Sequence, residues 1–133
     1  MNRFRVTIER IERRGELQAF DLRFEDLALR MFCLQPTSTL KPGTEVVVGV
    51  KPTQVMIAKG CAQALGCTNR IEAVVDSLEC GELLCNLELS YRKQRFEAVV
   101  AAEAVSDLKL YEGDSLTLFF SENALFIAEV CGD

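Results

Sequence analysis

With 133 residues, 49% of them hydrophobic and 26% charged, the chain can bury a sizeable core in one domain or in two very small ones. Eight glycines and three prolines exclude collagen-like and low-complexity classes, and a net charge of −5 argues against a broad surface for nucleic acid, which needs clustered Lys and Arg. The absence of histidine removes His-dependent triads, the HExxH zinc site and the commonest general base near neutral pH.

Taken in chain order, the first stretch alternates Phe4, Val6 and Ile8 with Arg3, Arg5, Thr7 and Glu9, the period of a half-buried strand. A turn at Arg13-Arg14-Gly15-Glu16 leads to a strand with Phe20, Leu22 and Phe24 on one face, and a third strand covers about Leu27 to Cys33. Gln35 to Gly43, with Pro36, Pro42 and Gly43, reads as a turn region. A β-branched strand from Glu45 to Lys51 and a short one from Gln54 to Ala58 follow. Lys59 to Thr68, small and polar, reads as a connection.

The second half repeats the order: strands from Arg70 to Leu78, through Cys85, Leu87 and Leu89, and from about Arg95 to Val100. Ala101, Ala104, Val105 and Leu108 then fall at i, i+3, i+4 and i+7 among good helix formers, which predicts a short helix. Strands from Ser115 to Phe120 and from Ala124 to Val130 close the chain.

The halves align as sequences. Leu40-Lys41-Pro42-Gly43 falls on Leu110-Tyr111-Glu112-Gly113, Val55-Met56-Ile57-Ala58 on Leu125-Phe126-Ile127-Ala128, and Asn2-Arg3-Phe4 on Asn69-Arg70-Ile71. The period is too long for a solenoid. The expected fold is all-β with one short helix, built as two tandem OB-like Greek-key barrel units over residues 1–60 and 61–133, each marginal alone and stabilised by the other. Charge divides between them: residues 1–60 carry ten basic and seven acidic side chains, residues 61–133 five and thirteen. A small anion site draws more help from the first half.

No apolar run approaches the length of a membrane helix, and the alternating N-terminus does not read as a secretory signal. The expected location is therefore the cytoplasm. There the six cysteines, Cys33, Cys61, Cys67, Cys80, Cys85 and Cys131, are expected as reduced thiols buried as small hydrophobes, ahead of a metal or redox role. Phe119, Phe120 and Phe126 are expected in the core or a subunit interface before any base-stacking platform. No GxxxxGK[ST] occurs, so the chain is not itself a transporter ATPase.

The order and duplication of several short motifs resemble the molybdate-binding Mop/TOBE family, in its tandem two-copy form. Ala101 to Gly113 is similar to the family's helix and following turn, Val48 to Ala58 to its closing strands, and Asn69-Arg70-Ile71-Glu72-Ala73-Val74-Val75 to its opening motif. The resemblance implies no catalysis and no cofactor or metal, but a cytoplasmic protein that binds molybdate or tungstate for storage, sensing or transport-linked homeostasis. It also implies a homo-oligomer with sites between units, and a transporter ATPase or regulator as a further partner. A tetrahedral dianion offers only acceptors, so its site must converge backbone N–H groups, hydroxyls, carboxamide N–H and an ammonium.

Carried over residue by residue, the resemblance makes Lys51 the oxyanion lysine, Thr53 the hydroxyl two places on, and Asn69 the asparagine of the opening motif, with Thr68 where arginine is usual. Asn2 and Ser121 hold the corresponding places in the other copies. Ser121 stands where the second lysine is expected and Pro52 removes one backbone N–H, which implies fewer or weaker sites. The local alternatives are a solvated strand end for Lys51 and a turn former for Asn69. At the level of the whole chain the alternative is a TOBE-type interaction or dimerisation module that no longer binds the ligand.

Overall fold

The computed structural model describes residues 1–34, 40–60 and 65–131. Among the described residues ten strands, β1 (Asn2–Arg14), β2 (Leu17–Phe24), β3 (Leu27–Cys33), β4 (Glu45–Val50), β5 (Met56–Ala58), β6 (Asn69–Cys80), β7 (Leu84–Tyr91), β8 (Gln94–Ala101), β9 (Ser115–Phe120) and β10 (Phe126–Val130), are accompanied by one α-helix, α1 (Ala102–Leu108). The molecule is mostly β, with two curled sheets that fit two OB-like units. The helix expected near Ala101–Leu108 lies between β8 and β9. Of the turn region expected over Gln35–Gly43, residues 35–39 lie outside the described residues.

Alternation of apolar and polar residues becomes burial on one face: Phe4, Val6 and Ile8 of β1 and Ile71, Ala73 and Val75 of β6 are all buried. Both sheets are antiparallel, with strand orders β10-β4-β1-β2-β3 and β5-β9-β6-β7-β8. Each sheet therefore borrows its last strand. Met56, Ile57 and Ala58 of the first half pair with Phe119, Leu118 and Thr117, while Phe126 and Ile127 of the second half pair with Gly49 and Val48. Neither repeat completes its own sheet.

Backbone irregularities are duplicated as well. β1 is bulged against β2 between Ile8 and Arg10, and β6 against β7 between Val75 and Ser77. Gly43 and Gly113, at φ +94° and +88°, turn the chain so that their N–H groups donate to Ile8 O at 2.7 Å and Val75 O at 2.8 Å.

Two expected strands begin later than their hydrophobic pattern indicates. Pro52, which has no N–H to give a ladder, opens a 3-10 turn over Pro52–Gln54, so β5 starts at Met56. At the matching place the Ala124 N–H donates to Ser121 O at 2.9 Å, closing a turn that delays β10 to Phe126. Val55 and Leu125 are buried beneath these turns.

The sheets meet over Phe4, Phe24, Tyr91 and Phe96. Phe4 lies 4.8 Å from Phe24 and 5.4 Å from Phe96 between ring centroids, in tilted and edge-on contacts. Two matching hairpin turns close over this cluster. Glu25 and Arg92, both at positive φ, form an ion pair at 3.6 Å, and Tyr91 donates its hydroxyl hydrogen bond to Asp26, which also pairs with Arg92 at 3.1 Å. The Tyr91 hydroxyl, helped by the Arg92 charge, holds the Asp26 carboxyl below the usual carboxylate range. The same bond, with some burial, pushes the Tyr91 phenol up.

One expectation for the cysteines is corrected: Cys80 and Cys85 form a disulfide. They occupy directly opposed positions of the β6–β7 ladder, which brings their sulfurs within bonding reach on one face of the hairpin. Cys67 instead donates its S–H to Phe120 O at 2.9 Å. Cys61 lies outside the described residues. The Phe119–Phe120–Phe126 expectation resolves unequally, with Phe120 fully buried, Phe119 half-buried and Phe126 37% exposed.

Candidate functional site

The start of β1 lies against the end of β4, and the start of β6 against the end of β9. Asn2 pairs with Val50 and Asn69 with Phe120. Lys51 and Ser121 are the next residues after those partners. The six residues singled out from the sequence thus fall into two strand-end clusters, Asn2, Lys51 and Thr53 in one and Thr68, Asn69 and Ser121 in the other.

The two asparagines share one geometry. The Asn2 carboxamide donates from Nδ2 to Glu97 O at 2.9 Å and accepts the Glu97 N–H on Oδ1 at 2.7 Å. Asn69 does the same to Arg30, donating at 2.8 Å and accepting at 2.7 Å. Both side chains are buried. Each asparagine begins one sheet and clamps the backbone of an edge strand of the other, β8 or β3, satisfying an N–H and a C=O that would otherwise lose water without replacement.

Around Asn2 the remaining polar groups are exposed. Lys51 and Thr53 are exposed, and the N-terminal ammonium of Met1 stands 4.0 Å from the Glu97 carboxylate. Lys51 carries extended backbone angles and immediately precedes the 3-10 turn, which packs on β8. Among the described residues this end therefore presents the Lys51 ammonium and the Thr53 hydroxyl, with the Glu97 carboxylate exposed nearby.

Around Asn69 the chemistry differs. Thr68 is exposed and Ser121 half-buried. The Ser121 hydroxyl accepts the Asn123 N–H at 3.1 Å, and the turn is held to β3 by the Phe32 N–H donating to Glu122 O at 3.1 Å. The Arg70 guanidinium donates to Cys67 O at 3.0 Å and Leu65 O at 2.6 Å, folding the end of the connection over this cluster. Among the described residues no group of three or more Cys, Asp or Glu is placed to hold a metal ion.

Glu97, Arg30 and Arg70 were not candidates from sequence. The signal for the first two was the repeat itself, since they occupy matching positions on β8 and β3. What they contribute here is backbone, which no residue type announces.

No protein-family model matches the chain, and no curated protein sequence matches it. Among solved structures it is similar to the cytoplasmic molybdate-binding protein ModG, in a crystal form with molybdate bound. The TM-score is 0.88 at 20% sequence identity, over 95% of this chain and 94% of that one. Both chains superpose along nearly their whole length, and this chain therefore has the fold of ModG.

Proposed function

We propose that this chain is a cytoplasmic oxyanion-binding protein for molybdate or tungstate, acting without catalysis in storage, sensing or transport-linked homeostasis. The observation that carries the reading is the full-length likeness to ModG, joined to an exposed cationic strand end at Lys51. Lys51 supplies the ammonium and Thr53 a hydroxyl. Thr68 and Ser121 supply hydroxyls at the second cluster, while Asn2 and Asn69 hold the frame on which these donors sit. The two units are taken as residues 1–60 and 61–133, and a homo-oligomer completes the sites between subunits.

Titration calorimetry with molybdate, tungstate and sulfate tests this. Molybdate or tungstate should bind and Lys51→Ala should weaken binding roughly tenfold to a hundredfold, the equivalent of a charge-assisted hydrogen bond of about 1.5–3 kcal/mol. No heat from well-folded protein with any of the three anions overturns the reading. Light scattering reporting a strict monomer with ligand present overturns the oligomer.

A second reading has its own support: Ser121 replaces a lysine, and its hydroxyl already accepts the Asn123 N–H. On this reading the protein is an interaction module that docks on a transporter ATPase or regulator. Capture of such a partner equally well with and without molybdate favours it.

A further inference from the structure

The opening hairpin of each repeat provides an internal control for the other. In the first, Arg13 opposes Gln18 near the tip of β1–β2; in the second, Cys80 opposes Cys85 at the matching place in β6–β7. Only the second is covalently closed. Since the first hairpin holds the same register without a crosslink, the fold does not require one here. The cystine spans a sequence separation of five, and the Gly81 N–H already donates to Leu84 O at 2.9 Å inside that loop. Closing so short a loop restricts the unfolded chain least.

The two cysteines are unequally placed. Cys85 is fully buried in the same core cluster as Val105 of α1, whereas Cys80 is exposed. An external thiolate therefore reaches Cys80. The loop between them is also tied to the helix. Leu83 O accepts the N–H of Ala102, the first residue of α1, at 2.9 Å, and Leu84 pairs with Ala101. Ala101 offers no side-chain cap, and the hairpin tip satisfies one of the N-terminal donors that have no partner within the helix.

We propose that Cys80 and Cys85 form a reversible thiol–disulfide switch, worked by a small thiol or a dithiol protein, whose state sets how firmly the first turn of α1 is anchored. In the reducing direction a thiolate RS⁻ attacks Cys80 Sγ. The S–S bond breaks, and its electron pair leaves on Cys85 Sγ, which takes a proton from water. A second RS⁻ then attacks the R sulfur of the mixed disulfide, forming R–S–S–R and releasing Cys80 as a thiolate that is protonated in turn. Two electrons pass from two thiols to the cystine, and the disulfide R–S–S–R reverses the sequence.

The experiment equilibrates the full chain in buffers from oxidised to millimolar reduced glutathione, then quenches, alkylates and maps the peptides by mass. The same samples are followed by amide hydrogen exchange. The Cys80–Cys85 pair should open and re-form across the series. On reduction the Ala102 and Glu103 amides should exchange roughly tenfold faster, with β1–β2 amides unchanged. Cys80→Ser should match the reduced parent in the oxidised buffer; if that variant does not fold, the reduced parent alone carries the measurement. A disulfide that resists millimolar glutathione, a pair that stays reduced in oxidised glutathione, or reduction without a change at Ala102 each overturns the proposal.

Discussion

The two repeats fold one backbone plan with different surfaces. Where a residue serves the backbone the copies agree: Asn2 and Asn69 clamp the opposite sheet, Gly43 and Gly113 turn the chain, and the bulges fall in step. Where a side chain faces outward they part. Arg30, paired with Glu12 and Asp21, corresponds to Glu97, which shares a shallow groove with Glu79, Glu88 and Asn86. Lys51 corresponds to Ser121. Satisfying buried backbone groups allows few solutions, whereas solvent accepts many, so the chemistry of the two strand ends was free to diverge on an unchanged frame.

The largest effect is expected from breaking the shared clamp. Asn69→Ala leaves the part-buried Arg30 N–H and C=O without partners, and should lower the unfolding free energy by about 2–6 kcal/mol at roughly 1–3 per orphaned group. Asn2→Ala should cost less, because it clamps Glu97, which is exposed, whereas Arg30 is half-buried, so water more readily replaces the lost partners. Urea unfolding of both variants measures the difference, and equal losses would mean that the exposure of the clamped residue does not matter.

The exchanged closing strands come next. A Cβ on Gly49 would stand 2.5 Å from Phe126 Cζ, the two being cross-strand partners, so Gly49→Ala should destabilise by about 1–3 kcal/mol through overpacking. The matching pair in the other sheet is Met56 and Phe119, with Met56 47% exposed. Met56→Ala should stay below about 1 kcal/mol. Thermal unfolding of the two single variants ranks the seams.

A smaller asymmetry lies at the helix. Lys59 donates to Leu108 O at 3.1 Å, Lys109 O at 2.8 Å and Asp114 Oδ2 at 3.2 Å, gathering the carbonyls that end α1. The second repeat has Glu129 in its place. Lys59→Ala should cost about 0.3–1 kcal/mol, and amide exchange at Lys109 and Leu110 should localise it.

The smallest effect is a pH limb at the turns where the repeats meet. The lowered Asp26 carboxyl contributes stability above its unfolded pKa, and that contribution is lost as pH falls through the folded value. The raised Tyr91 phenol contributes below its unfolded pKa and loses the contribution as pH rises through its folded value. Asp26→Asn should therefore flatten the acid side of the stability curve, and Tyr91→Phe the alkaline side. Unchanged slopes in denaturant melts across pH would contradict the hydrogen bond.

Much of the fold was legible in the sequence because alternation at period two, turn residues and an internal repeat are local signals. They placed β3 and β9 at their observed bounds, α1 within a residue, and the duplication itself. The repeat also matched Asn2 with Asn69, while Lys51 and Ser121 came forward only through the family resemblance. The exchange of β5 and β10 between sheets was not legible, because either sheet offers the same hydrogen-bonding edge to a short apolar strand; only the packing of Val55, Leu125 and the Phe126 ring over Gly49 selects the partner. The asparagine clamps were hidden for the same reason, since their partners are the backbone groups of residues far along the chain. Cys80 and Cys85 read as thiols from composition and expected compartment. Their pairing was decided by cross-strand register, a property that exists only once the hairpin has formed.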